Sequence, residues 1–203
     1  MSTNPTNLSN CAPIWLKKIC NPMLLRAILE KDVAATARLR LKQEKGFMHS
    51  LAALLAHSGD SWFWLIGLAG LWFLGSREGH GRLALMAIGI VILAGLVMAI
   101  KLTIRRRRPE GEWGAIYRIT DPHSFPSGHA ARAMMLAVVV CGVGPAWAAI
   151  VLLIWVPLVS LARVAMGVHY LSDVLAGVVI GSVIGLGILV IQPLLAGWAP
   201  FLF

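Results

Sequence analysis

The sequence predicts an all-α protein: a polytopic membrane helical bundle of about five transmembrane helices, six if a further span forms near the start, preceded by an amphipathic helical leader. Three observations carry this expectation. Apolar residues make up 58% of the 203 residues and charged residues only 13%, about half the usual charged share. Mean hydropathy is +0.77. From residue 61 onward, long uncharged runs alternate with short polar breaks. A water-soluble globule of this length leaves too much surface in solvent to hide so many apolar groups, and uncharged runs of this length enter lipid as helices, which satisfy their own backbone.

The elements follow in order. Residues 1–60 hold eight basic and four acidic residues, which interrupt every apolar stretch before it reaches spanning length. Lys17, Lys18 and Arg26 break the early runs, so no signal peptide is expected. Pro22 to Lys45 mixes Leu, Ile and Val with charges at helical spacing and reads as an interfacial helix. Phe47 to Ala56 is apolar over half a span. The leader is therefore bounded at 1–57 and a membrane-embedded domain at 58–203. Ser61 to Ser76, rich in Trp and Phe, is the first span, ended by Arg77-Glu78-Gly79; Trp62, Trp64 and Trp72 fit interfacial anchoring. Leu83 to Ile100 gives 18 residues without a charge, close to the ~20 needed to cross the hydrocarbon, and Lys101 ends it. A polar loop follows. Ala133 to Ala162 is uncharged over 30 residues, too long for one ordinary helix, and Gly142-Val143-Gly144-Pro145 divides it into helices over about 127–142 and 146–164. Val174 to Phe203 is again uncharged, with Pro193 expected to stop the last span.

This order brings four helix ends to one side of the membrane: the second at Lys101, the third at Ser127, the fourth at Arg163 and the fifth at Tyr170. Three clusters sit there. Lys101 is followed after six residues by Arg108-Pro109; the others are Pro126-Ser127-Gly128-His129, and Arg163 with His169 and Asp173. Lysine offers a mobile point charge and arginine a planar fork for two phosphate oxygens. Ser127-Gly128 opens a helix whose free N–H groups favour an anion. His169 and Asp173, four apart, share a face if one helix carries both, so the carboxylate can fix the ring's tautomer and leave the other nitrogen free to attack. His129 is a second histidine, available to protonate a departing oxygen. Together these residues outline a phosphoryl-transfer site.

Lys-x6-Arg-Pro, Pro-Ser-Gly-His and Arg-x5-His-x3-Asp, in this order, resemble the three-part signature of the type 2 phosphatidic acid phosphatases, a superfamily of membrane lipid phosphatases that includes soluble vanadium haloperoxidases. The resemblance covers roughly residues 50 to 192. It implies that His169 forms a phosphohistidine, that Asp173 orients it, and that His129 is the general acid. Lys101, Arg108, Ser127, Gly128 and Arg163 match the phosphate-binding residues. One departure is Ala162, where the family usually places Ser; Ser160 or a water would have to substitute for that hydroxyl. The implied function is a metal-independent membrane phosphatase acting on a lipid phosphate or isoprenoid (di)phosphate. The resemblance usually places the site on an extracytoplasmic face of a bacterial inner membrane.

The other notable residues have simpler readings. Arg105, Arg106 and Arg107 read as a solvated or headgroup-binding edge, and the run is too short for a nucleic-acid face. Arg132 and His123 flank the site as interfacial residues. His49, His57 and His80 read as surface or interface residues, and Asp60, near the site-side end of the first span and so within reach of a substrate, reads more simply as a helix N-cap. Asp121, Glu110 and Glu112 lack the spacing of a magnesium site, so neither metal nor other cofactor is expected. Cys11, Cys20 and Cys141 suggest neither disulfides nor zinc. The formal charge of +9 concentrates in the leader and in residues 101–127, so it reads mainly as a membrane-surface signal. With five spans both basic regions share the site face, and the positive-inside rule points that face to the cytoplasm; a sixth span would move the leader across. The rival readings are a vanadate-dependent haloperoxidase, opposed by the uncharged spans, and a non-catalytic phospholipid-binding or anion-transport protein, opposed by the complete histidine set.

Overall fold

The computed structural model describes residues 22–41, 46–110 and 121–198. The leader before residue 22, with Cys11, Cys20, Lys17 and Lys18, lies outside the described residues, as do Lys45, Glu112 and Arg118. Seven helices form among the described residues: α1 (Pro22–Leu39), α2 (Phe47–His57), α3 (Ser61–Leu74), α4 (Arg77–Ile104), α5 (Gly128–Val143), α6 (Ala146–Ala165) and α7 (Leu171–Trp198). The protein is all-α and membrane-embedded. Three stretches are long and apolar enough to cross a bilayer: Gly79–Ile104, Ala146–Ala165 and Leu171–Trp198. Helices α3 and α5 are shorter, at 14 and 16 residues. Many large apolar side chains point outward, including Val91, Ile154, Val179 and Val190, as expected where lipid is the solvent.

Three helix ends differ from expectation. The break after the first apolar run falls at Gly75 and Ser76, and Arg77, Glu78 and Gly79 are the first turn of α4. Gly75 closes α3 by donating its N–H to the Leu71 carbonyl at 2.8 Å, and a Cβ there would meet that oxygen at 2.5 Å. Pro193 does not stop α7, which runs on to Trp198. In lipid a chain leaving a helix strands several polar groups, so one bond lost at proline is the smaller cost. Lys101 does not end α4 either; the helix continues to Ile104 and stops where Arg105 turns left-handed, at φ 53°. The divide at Gly144-Pro145 stands as expected.

Helix α5 is the centre of the bundle. Ala130, Ala131, Ala133, Met135, Leu136, Ala137 and Val139 are all fully buried on it. Its closest neighbour is α7, whose Gly177, Gly181 and Gly185 recur every fourth residue against it. A Cβ on Gly177 would meet the Ser127 carbonyl at 2.5 Å, one on Gly185 the Val138 Cβ at 2.8 Å, and one on Gly181 the Ala131 carbonyl oxygen. Small residues at this spacing let two helix backbones touch. That contact places the start of α5 beside the start of α7, and Ser127 N–H donates to the Asp173 carbonyl at 2.9 Å.

Helix α1 closes the same end. The first N–H groups of a helix have no partner within it, and α1 supplies two for α7. Thr36 Oγ1 accepts from Leu171 N–H at 3.1 Å, and Asp32 Oδ1 from Ser172 N–H at 3.0 Å. Asp173 accepts from Tyr170 N–H at 2.9 Å, the reach of an acidic residue three positions into a helix back to its cap.

Candidate active site

The arginine run leaves α4 through the left-handed turn at Arg105, whose Nε donates to the Leu102 carbonyl at 2.7 Å. Beyond it the chain is extended, pairs with His123 at Arg107, and alternates: Arg105 and Arg107 face out, Arg106 and Arg108 face in. Arg108 Nη2 donates to Asp121 Oδ2 at 2.8 Å, its Nε to the Asp121 carbonyl at 2.7 Å and its Nη1 to the Val168 carbonyl at 2.9 Å. Lys101 also pairs with Asp121. Both cations from the first cluster thus share one carboxylate. Arg106 corrects the reading of the run as a solvated edge. It is 6% exposed because two carboxylates, the buried Asp173 and the partly buried Asp32, lie in its reach at 2.7 Å each.

His169 is 1% exposed and Asp173 fully buried. They do not lie on one helix as the spacing suggests: His169 belongs to the turn between α6 and α7, and Asp173 to the first turn of α7. Gly167, at φ +65°, makes that turn possible; its αL conformation suits glycine, and a Cβ would meet Arg40 Nε at 2.9 Å. His169 Nδ1 is 3.6 Å from Asp173 Oδ2, longer than a hydrogen bond. On the other side of the ring, Arg108 Nη1 and Arg163 Nη2 approach Nε2 at 3.3 and 3.5 Å. Guanidinium groups only donate, so Nε2 presents its lone pair to them and the proton sits on Nδ1, toward Asp173. Burial, reinforced by the cations Arg163, Arg108 and Lys101, holds the imidazole well below its usual pKa near 6.5. The ring is neutral.

His129 stands at the start of α5, its Nε2 donating to Asp60 Oδ1 at 2.7 Å. Asp60 precedes α3 but makes no side-chain cap bond; its other oxygen meets His57 Nδ1 at 3.3 Å. Burial would raise its carboxyl, but the two histidines outweigh burial and bring the pKa down to about 2. The same turn carries Gly59, packed on the His129 ring, its carbonyl accepting from Arg132. The Ala56 carbonyl accepts from Arg163 Nη1 at 3.4 Å. The α2–α3 turn therefore ties the second cluster to the third. Ser127 is fully buried, and among the described residues its hydroxyl has no hydrogen-bond partner. Gly128 would accept a Cβ at 3.5 Å from Val97, so protein packing does not demand glycine there. Ala162 packs in an apolar cluster with Ala52, Ala56, Met166 and Val168, and the Ser160 hydroxyl is buried without a partner. Among the described residues no three His, Cys, Asp or Glu side chains gather as a metal cage would.

Asp32 and the inward face of Arg106 were missed, and Asp60 was read as a cap, because their distant partners are 66 to 140 residues away. The one signal available was period two: once the backbone is extended, alternate arginines of a run must face opposite ways.

A membrane helical bundle with a buried neutral histidine under two arginines defines a protein that handles phosphate at the membrane. The chain belongs to the PAP2 superfamily, whose model matches residues 82–195. It is 33% identical over 141 residues to decaprenylphosphoryl-5-phosphoribose phosphatase of Mycobacterium tuberculosis, covering 68% of this chain and 77% of that protein. It is 36% identical over 105 residues to undecaprenyl-diphosphatase of Sulfolobus acidocaldarius, covering 47% of this chain and 50% of that one. The fold matches the crystal structure of the transmembrane PAP2 type phosphatidylglycerolphosphate phosphatase from Bacillus subtilis with a TM-score of 0.65 at 22% identity, covering 91% of this chain and 93% of that one.

Proposed function

We propose that this protein is an integral-membrane phosphatase that hydrolyses a lipid phosphate monoester or an isoprenoid diphosphate through a phosphohistidine on His169, without a metal. The observation that supports this best is the pair of guanidinium groups facing His169 Nε2 at 3.3 and 3.5 Å. A phosphoryl group held by Arg108 and Arg163 would lie against the lone pair of the nucleophile. The names of the two relatives favour a polyisoprenoid carrier as the lipid, with its tail in the bilayer and its headgroup among the helix ends.

In this reading the phosphoryl oxygens replace Asp121 on Lys101 and Arg108, and the Ser127 hydroxyl and the first N–H groups of α5, beginning at Gly128, take the remaining oxygen. Nε2 attacks phosphorus while the bond to the leaving oxygen breaks and its electron pair stays on that oxygen. His129 gives it a proton. Asp173 takes up the Nδ1 proton's charge as the ring becomes cationic. Water then attacks the phosphohistidine, His129 accepts a proton from that water, and phosphate leaves with His169 restored. Catalysis rests on positioning and fixed positive charge.

The chain crosses the membrane five times in this reading, as α3 to α7, with residues 1–57 as a leader and 58–203 as the catalytic domain. Helix α1 caps the site end of α7, which supports leader and site sharing one face. The chemical test is phosphate release from lipid phosphates by the purified protein in chelator. Wild type should turn over, and His169→Ala should lose at least about 10³-fold in kcat. Wild-type turnover by His169→Ala would remove the mechanism.

A further inference from the structure

We propose that Asp32 and Arg106 are positioning residues for this reaction, forming with Asp173 a relay by which the leader helix sets the carboxylate that faces the nucleophile. The inference rests on the reading of His169 as nucleophile. Arg106 lies between two carboxylates. Its Nη1 donates to Asp173 Oδ1 at 2.7 Å and to Ser172 Oγ at 2.6 Å, and its Nη2 to Asp32 Oδ2 at 2.7 Å. Its guanidinium lies over the Tyr170 ring at 4.1 Å. Asp32 in turn accepts from Ser172 Oγ at 2.5 Å and from Ser172 N–H.

This arrangement leaves Asp173 no freedom. One oxygen is held by Arg106, the other accepts the Tyr170 N–H and faces His169 Nδ1. A carboxylate free to rotate about its last bond would spread its oxygens over several directions; a forked cation fixed at its far end removes that motion. Asp32 fixes that far end, from a helix outside the matched family region of residues 82–195. Among the described residues their side chains bond each other, Ser172 and Asp173, not Lys101, Arg108 or Arg163. They act through Asp173 on the ring.

The experiment uses the full chain in detergent micelles, with kcat and KM for a lipid phosphate, the inhibition constant of inorganic phosphate, and gel filtration to establish the folded fraction. Asp32→Asn and Arg106→Gln should lower kcat about 10- to 100-fold, as loss of an outer partner of a functional histidine does at metal sites. KM and phosphate inhibition should stay within about twofold, and Asp32→Glu should recover part of the loss. In the Asp173→Asn background, Arg106→Gln should cost nothing further, because its route of action is already gone. The idea is overturned if both single variants keep wild-type kcat while His169→Ala is inactive, or if Arg106→Gln costs as much with Asp173→Asn as without it. An active His169→Ala would instead remove the reading beneath it. If Arg106→Gln fails to fold, Asp32→Asn, which changes one atom, carries the same test.

Discussion

Asp60 shows how a residue in an ordinary helix-start position takes another task. Its backbone stands where a cap would, but its side chain bonds His129 and His57. With its pKa near 2 it stays ionised across the working range and holds the His129 proton on Nε2. Asp60→Asn keeps an acceptor oxygen but removes the charge, and kcat should fall about 10- to 100-fold with little change in KM; unchanged kcat would make Asp60 structural only. His169 makes stability depend on pH. Its folded pKa lies below the unfolded value near 6.5, so as pH falls below 6.5 the unfolded chain binds a proton that the folded chain does not. Its stability contribution is complete above 6.5 and is lost as pH falls toward the folded value. Thermal unfolding between pH 8 and 5 should show that slope, and His169→Asn should reduce it. The acid limb of kcat/KM assigned to the nucleophile should likewise fall below 6.5.

At the scale of elements, the glycines of α7 decide whether the site can close. Gly181→Ala would drive a methyl group into the Ala131 carbonyl of α5, and backbone cannot give way as a flexible side chain can. The expected loss is about 1–3 kcal/mol, read as a lower Tm in detergent. Gly187→Ala, where a Cβ meets nothing within 4 Å, should be neutral or slightly stabilising through helix propensity. The helices themselves were largely legible. Uncharged runs and Gly144-Pro145 located α5 and α6 to within a residue or two, because hydropathy and backbone chemistry are local. The ends of α4 and α7 were not, since Arg77 and Glu78 interrupt an apolar run without interrupting a helix, both being good helix formers, and Pro193 in lipid costs less than a chain that leaves its helix. His169 and Asp173 face each other at 3.6 Å without sharing a helix, because a spacing of four is compatible with both a helix and the Gly167 turn followed by a cap.

For the whole molecule, the sequence indicated which helix ends would meet but not what would cover them. Motif spacing carried Lys101, Arg108, Ser127, His129, Arg163, His169 and Asp173 to one end. The pairings of Asp32, Asp60 and Asp121 arise only from the folded arrangement, and no local pattern encodes them. Five crossings put α1 and the polar loop on one side, which labelling can check. With Cys11, Cys20 and Cys141 replaced by Ser, Arg38→Cys and Pro122→Cys should react with an impermeant thiol reagent from the same side of sealed vesicles, and Arg77→Cys from the other. Reaction of the first two from opposite sides would require a sixth crossing.

The capping of α7 by Asp32 and Thr36 joins the two ends of the chain in time as well as space. The ribosome makes α1 before α7, so an emerging chain that holds every helix through α6 has Arg108 and Arg163 but neither His169 nor Asp173. The site can be completed only when the last helix has inserted and met the first. With His169 as the nucleophile, synthesis order would keep the phosphatase inactive until α7 has been made.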